Sequence, residues 1–182
     1  DSWGTVRGNC GNHDYNGDGD PNDGINVSGG PTIVGTVSTN QPAIEIKLPE
    51  IDCSGIPAAS FNSSTKTWSA GRHAGFKVNN NEVMNLAPGL HCLTSGIQAT
   101  AKGKLFGTEV TLYFQNGSFD GNGKGQIELS APTADTGTIL DGMQGIVIYI
   151  DPDNSSGEVD MQGTSDAKYT GMVYVPNGHI DF

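Results

Sequence analysis

The stretches Gly145-Ile-Val-Ile-Tyr-Ile150 and Gly171-Met-Val-Tyr-Val-Pro176, with the earlier Gly107-Thr-Glu-Val-Thr-Leu-Tyr-Phe114, decide the fold. Each β run is followed, within about a dozen residues, by an apolar residue and then Asp: Phe119-Asp120, Val159-Asp160 and Ile180-Asp181. A unit of this kind, recurring at roughly 25–35 residues with no helical period between strands, marks a β-solenoid. The predicted architecture is all-β: a right-handed parallel β-helix over 31–182 behind a loop-rich acidic segment, 1–30. An antiparallel β-sandwich is the alternative, because its turn signals recur at similar spacing. Short, uneven strands favour the helix.

Working outward, 27 glycines stand beside many Asn, Ser and Thr without a collagen period, which suits tightly turning β structure. Lys plus Arg number 9 against 20 Asp plus Glu, a net charge of −11. That field repels nucleic acid, anionic membrane and acidic polysaccharide. The longest apolar run, Ile146 to Ile150, is far below the ~20 residues of a membrane span. The chain opens Asp1-Ser2-Trp3 and closes at Phe182, so it reads as a processed piece of a longer protein.

Residues 1–30 are nearly devoid of apolar side chains. Thr32 to Val37 and Ala43 to Leu48 read as strands, the second alternating strictly. Between Ser54 and Asn81 the pattern weakens into expected irregular surface structure, and the repeats begin at Leu86. Cys10, Cys53 and Cys92 lack any Cys-x-x-Cys spacing, which argues against zinc held by cysteines. One disulfide would most naturally join Cys53 to Cys92, both near turn markers; three free buried thiols is the other reading. Sequons stand at Asn26, Asn62, Asn116 and Asn154, all in turn-like surroundings.

The ordered series Val27-Ser-Gly-Gly30, Leu86-Ala-Pro-Gly-Leu-His-Cys92, Leu129-Ser-Ala-Pro-Thr133, Gly145-Ile-Val-Ile-Tyr149 and Tyr169-Thr-Gly-Met-Val-Tyr-Val-Pro-Asn177 resembles the β-helical C-terminal region of TadE/TadG-like proteins. Those proteins accompany Flp (Tad) pili and related bacterial surface structures. The resemblance spans most of 27–182 and implies a β-helix in a pilus-associated setting, with no catalytic residues. The chain departs from the family in lacking an N-terminal membrane helix and a von Willebrand-type domain, and in its acidic N-terminal segment.

The sharpest local motif is Asp14-Tyr-Asn-Gly-Asp-Gly-Asp-Pro-Asn-Asp-Gly24. Oxygen-bearing side chains at alternate positions, Asp14, Asn16, Asp18 and Asp20, with Gly19 at the turn, match what a Ca2+ ion requires. Ile25 stands where an EF-hand carries its closing Glu, and Asp23 is the candidate replacement. The spacing resembles the loops of dockerin and thrombospondin type-3 repeats. Its bland counterpart is a solvated acidic linker.

If Phe119, Val159 and Ile180 point inward, alternation sends Asp120, Asp160 and Asp181 outward on one face. Coils ~4.8 Å apart would then stack the carboxylates in a ladder, open to solvent, cation or catalysis. Arg7 and Arg72 are the only arginines, with Lys124 and Lys168 the bases near the Asp face, too few for a polyuronate lyase. His13, His73, His91 and His179 form no paired motif, and no Gly-x-Ser-x-Gly elbow exists. Tyr113, Tyr149, Tyr174, Phe114 and Phe119 read as core stacking between coils rather than a sugar platform. The sequence thus points to a non-enzymatic, extracellular, structural or adhesive module. Its expected partners are other subunits of a pilus or surface filament, or surface glycans. A carbohydrate-binding module or a polysaccharide-active glycosidase on the same scaffold is the alternative.

Overall fold

The structure is a computed structural model that describes residues 48–181 apart from Lys124 and residues 162–166. The chain divides into two compact units, 1–48 and 49–182. The expected boundary at 30/31, the strands at 32–37 and 43–47, the calcium loop at 14–24, Cys10, Arg7, His13 and Asn26 lie outside the described residues.

Five coils of three strands stack in parallel. A short antiparallel pair, β1 (Phe61–Asn62) and β2 (Thr67–Trp68), opens the first coil, which continues through β3 (Gly71–His73) and β4 (Phe76–Val78). The second coil is β5 (Val83–Leu86), β6 (Gly89–Leu93) and β7 (Ile97–Ala99). The third is β8 (Lys104–Gly107), β9 (Val110–Phe114) and β10 (Phe119–Asp120). The fourth is β11 (Ile127–Ser130), β12 (Ile146–Ile150) and β13 (Glu158–Asp160), and the fifth β14 (Ala167–Thr170), β15 (Met172–Tyr174) and β16 (His179–Asp181). Three sheets result: β1-β2-β5-β8-β11-β14 (sheet I), β3-β6-β9-β12-β15 (sheet II) and β4-β7-β10-β13-β16 (sheet III). Every coil-to-coil ladder is parallel, so this is a parallel β-helix and the sandwich alternative fails.

Two expectations about its extent need correction. The repeat is shorter than 25–35 residues: Lys77, Gln98, Asp120, Asp160 and Asp181 pair in one row at intervals of 21, 22, 40 and 21. The long interval arises because the fourth coil carries two insertions, 131–145 and 151–157, that add length without adding a strand. Conversely, the region 54–81 is no irregular surface stretch but the whole first coil. Its strands are only two or three residues long, below the length at which alternation is visible.

Alternation fills the interior with registered rows. Phe76, Ile97, Phe119, Val159 and Ile180 stack along sheet III, and Leu93, Phe114 and Ile150 along sheet II. Most of these side chains are fully buried, each contributing about 1.5–3 kcal/mol of transfer free energy. Entry into each sheet II strand needs a positive φ. Gly71, Gly89, Gly145 and Gly171 supply it, and at the third coil Glu109 does so at φ 57°. A non-glycine there is strained, and its carboxylate is held by the Thr133 amide at 2.7 Å.

The three central strands of sheet II, β6, β9 and β12, are buried on both faces. The sheet's outer row of Arg72, Cys92, Tyr113, Tyr149 and Tyr174 is crossed by residues 49–58, which run over the coils in reverse order. Pro49 accepts from Tyr149 in the fourth coil, Cys53 is disulfide-bonded to Cys92 in the second, and Ala58 bridges Arg72 in the first. Ile51, Cys53 and Ile56 are buried along this strap. Asp52 caps a short 3-10 turn at Cys53–Gly55 by accepting from the Ser54 amide and hydroxyl, which lowers its pKa. The strap is a second layer outside the solenoid.

Candidate functional site

The apolar-Asp pattern resolves as predicted: Phe119, Val159 and Ile180 share the interior row, and Asp120, Asp160 and Asp181 the adjoining outward row of sheet III. The register also places Gln98 and Lys77 above them, neither of which the sequence reading had assigned to this face. Lys168, expected nearby, instead lies opposite Glu128 on sheet I. Two of the three carboxylates, Asp120 and Asp160, accept from side-chain amides. Gln98 donates to Asp120 at 2.7 Å, and Asn122 donates its side-chain amide to Asp160 at 3.0 Å. Amide donors in this position offset the like-charge repulsion of a stacked ladder.

At the lower end of the column a second outward pair appears. Glu158 is directly opposite His179, as Asp160 is opposite Asp181, because residues two apart in a strand face the same way. His179 Nε2 lies 2.7 Å from a Glu158 oxygen and 3.3 Å from an Asp181 oxygen. Among the described residues, this trio is the group whose ligand-type atoms converge, all within 4.8 Å of one another. The signal was present in sequence: Glu158-Val-Asp160 and His179-Ile-Asp181 share the form polar-apolar-Asp.

A different polar cluster is sealed inside the first two coils. His91 Nε2 donates to the Ala87 carbonyl at 2.8 Å, so its Nδ1 accepts from His73 Nε2 at 3.3 Å. His73 also packs against Trp68 and Phe76, the three rings contacting one another at centroid distances of 5.1, 5.6 and 6.2 Å. Burial, with the neighbouring His91, pushes the His73 pKa down to about 4, and burial lowers that of His91. Both imidazoles are therefore neutral at pH 7. With the His73 Nδ1 unpartnered among buried atoms and both rings packed in the core, this pair is structural packing.

The expected tyrosine stack exists, but outside the solenoid core rather than in it. Tyr113, Tyr149 and Tyr174 meet edge to face, with centroids 5.0 and 5.3 Å apart, beneath the strap. Tyr113 donates to the buried Asp151 carboxylate, and burial followed by this contact raises its pKa. Burial and the nearby Tyr174 and Asp151 push Tyr149 up to about 12. Phe114 and Phe119 are interior, as expected. These rings are unavailable to a sugar.

On sheet I a shallow cleft of about 160 Å³ is lined by Gly107, Thr108, Glu128, Ser130, Lys168 and Thr170. It is polar and lies on a different face from the Asp column. Of the described sequons, Asn62 and Asn116 are exposed, whereas Asn154 is buried with its amide on the Gly117 carbonyl at 2.8 Å. Asn154 is thus a corner-forming residue and not a glycan acceptor. No family model, curated protein or solved structure matches the chain.

Proposed function

We propose that the chain is a structural or adhesive extracellular module of a pilus- or cell-surface-associated protein, with other filament subunits or surface glycans as partners. The observation that carries this reading is the strap-and-disulfide construction. A disulfide joining Cys53 to the sheet wall at Cys92 is the chemistry of an oxidising, extracytoplasmic compartment. It reinforces a rod made of registered coils, each buried against its neighbours. The outward Asp column supports the same reading, since its carboxylates lie on an open sheet face and are engaged by Gln98 and Asn122. The motifs that resemble the TadE/TadG-like region also fall at coil corners and sheet II strands: Leu86 to Cys92, Leu129 to Thr133 and Tyr169 to Asn177. The N-terminal loop, through Asp14, Asn16, Asp18, Asp20 and Asp23, is the proposed calcium-binding clamp of this module.

The test sets adhesion against turnover. Beads coated with the purified chain should adhere to surfaces the producing cells colonise, and wild type and Asp160→Asn should adhere alike. Release of reducing ends from a polysaccharide panel, present in wild type and lost in Asp160→Asn, would replace this reading with a glycosidase.

A further inference from the structure

We propose that Glu158, His179 and Asp181 form a binding site for a zinc-class divalent cation on the outer face of sheet III. The three side chains come from two adjacent parallel strands whose backbone pairing fixes Glu158 against His179 and Asp160 against Asp181. The trio is therefore held by ladder geometry and not by a loop. Its central atom is an imidazole nitrogen, which distinguishes it from an acidic patch. Nε2 faces both carboxylates, at 2.7 and 3.3 Å. As a donor, its one N–H is shared unequally between two acceptors in a bifurcated bond; as an unprotonated nitrogen, its lone pair points into two anions. A cation at the point where the three converge removes both conflicts.

The dimensions agree. Ligands about 2.1 Å from a tetrahedral ion lie roughly 3.4 Å apart. His179 and Asp181 are already near that separation, the Glu158 contact must open by about 0.7 Å, and the two carboxylates, within 4.8 Å of each other, must close toward it. The side chains have room to do this, being 43–63% exposed. One imidazole and two carboxylates select Zn2+, Ni2+ or Cu2+ over Ca2+, which takes oxygen ligands in larger number. Three protein ligands leave a fourth position for water or for a carboxylate from another molecule. Asp160, beside Asp181 in the same row, adds negative charge that favours any cation here.

The full chain, stripped with chelator and returned to calcium-containing buffer, is titrated with Zn2+ by calorimetry beside His179→Gln and Glu158→Gln. Wild type should bind one more Zn2+ than His179→Gln, and Glu158→Gln should weaken that site by about tenfold or more. On wild type alone, the side-chain 15N resonance of His179 Nε2 should move on Zn2+ addition. Equal Zn2+ binding by wild type and His179→Gln, or a His179 resonance that stays still while zinc binds elsewhere, would reduce the trio to an ion pair and overturn the proposal.

Discussion

Tyr149 donates its phenolic hydroxyl to the Pro49 carbonyl at 3.3 Å, closing a contact between residues 100 positions apart. Pro49 begins the strap, and the strap, together with the 131–145 insertion whose Met143 amide donates to Thr111 at 2.8 Å, explains why β6, β9 and β12 are buried at every position while strands of sheets I and III alternate. An extended segment crossing the coils ties them together along the axis, adding a disulfide and a side-chain hydrogen bond to the ladder bonds that already join neighbouring coils.

Removing the tie should therefore be costly. Cys53 and Cys92 are 39 residues apart, and a loop of that size restrains the unfolded chain by about 4 kcal/mol on chain-entropy grounds. Cys92→Ala should lower stability in urea by up to this amount. Tyr149→Phe, which keeps the ring stack and loses only the hydroxyl, should cost about 1 kcal/mol.

The two members of each apolar-Asp pair should respond oppositely. Phe119→Ala empties an interior site between Ile97 and Val159 and should cost about 3–5 kcal/mol. Asp120→Asn removes one charge from the column and keeps an oxygen for Gln98, so its effect should stay within about 0.5 kcal/mol. Chemical denaturation of the two variants measures both.

The buried histidine pair makes the first coils acid-sensitive. His73 titrates at about 4 when folded against an ordinary 6.5, so between those values the unfolded chain binds more protons. Stability from this group is complete above pH 6.5, falls as pH drops toward 4, and changes no further below that. The loss should be about 3 kcal/mol. Denaturation midpoints measured from pH 7 to pH 4 should show the slope, and His73→Leu should flatten it.

At Gly89, glycine is required by space as well as by φ. A Cβ on Gly89, at φ +119°, would stand 2.5 Å from the Leu140 carbonyl oxygen in the 131–145 insertion. Gly89→Ala should cost about 2–3 kcal/mol or displace that insertion. Gly137→Ala, with φ +73° but open space around it, should cost about 1 kcal/mol. Thermal melts of the pair separate steric conflict from backbone strain.

The proposed calcium loop carries its own expectation. Chelation should accelerate proteolytic cleavage within residues 10–25 and lower the melting temperature, and a tenfold rise in Ca2+ above its dissociation constant should restore about 1.4 kcal/mol.

How far the sequence was legible follows from element length. Phe119-Asp120 and its two relatives announced their register because an apolar residue and an acid alternate across a sheet wall. Gly71 to His73 did not, because a three-residue strand holding Arg and His shows no alternation. The strap was hidden for a different reason: Ile51, Cys53 and Ile56 cross the strands instead of joining them, so no period of two exists to be read. The Glu158–His179 pairing, at a regular interval of 21 residues, was readable from the shared polar-apolar-Asp form, whereas the 40-residue interval between Asp120 and Asp160 was not. Parallel ladders leave no local signal of their register.

The central claim, a rigid surface module, is tested most directly by immunogold labelling of intact producing cells with antibody raised against residues 49–181. The account predicts gold on the outer surface or along filaments without permeabilisation. Label that appears only after the cells are opened would contradict it.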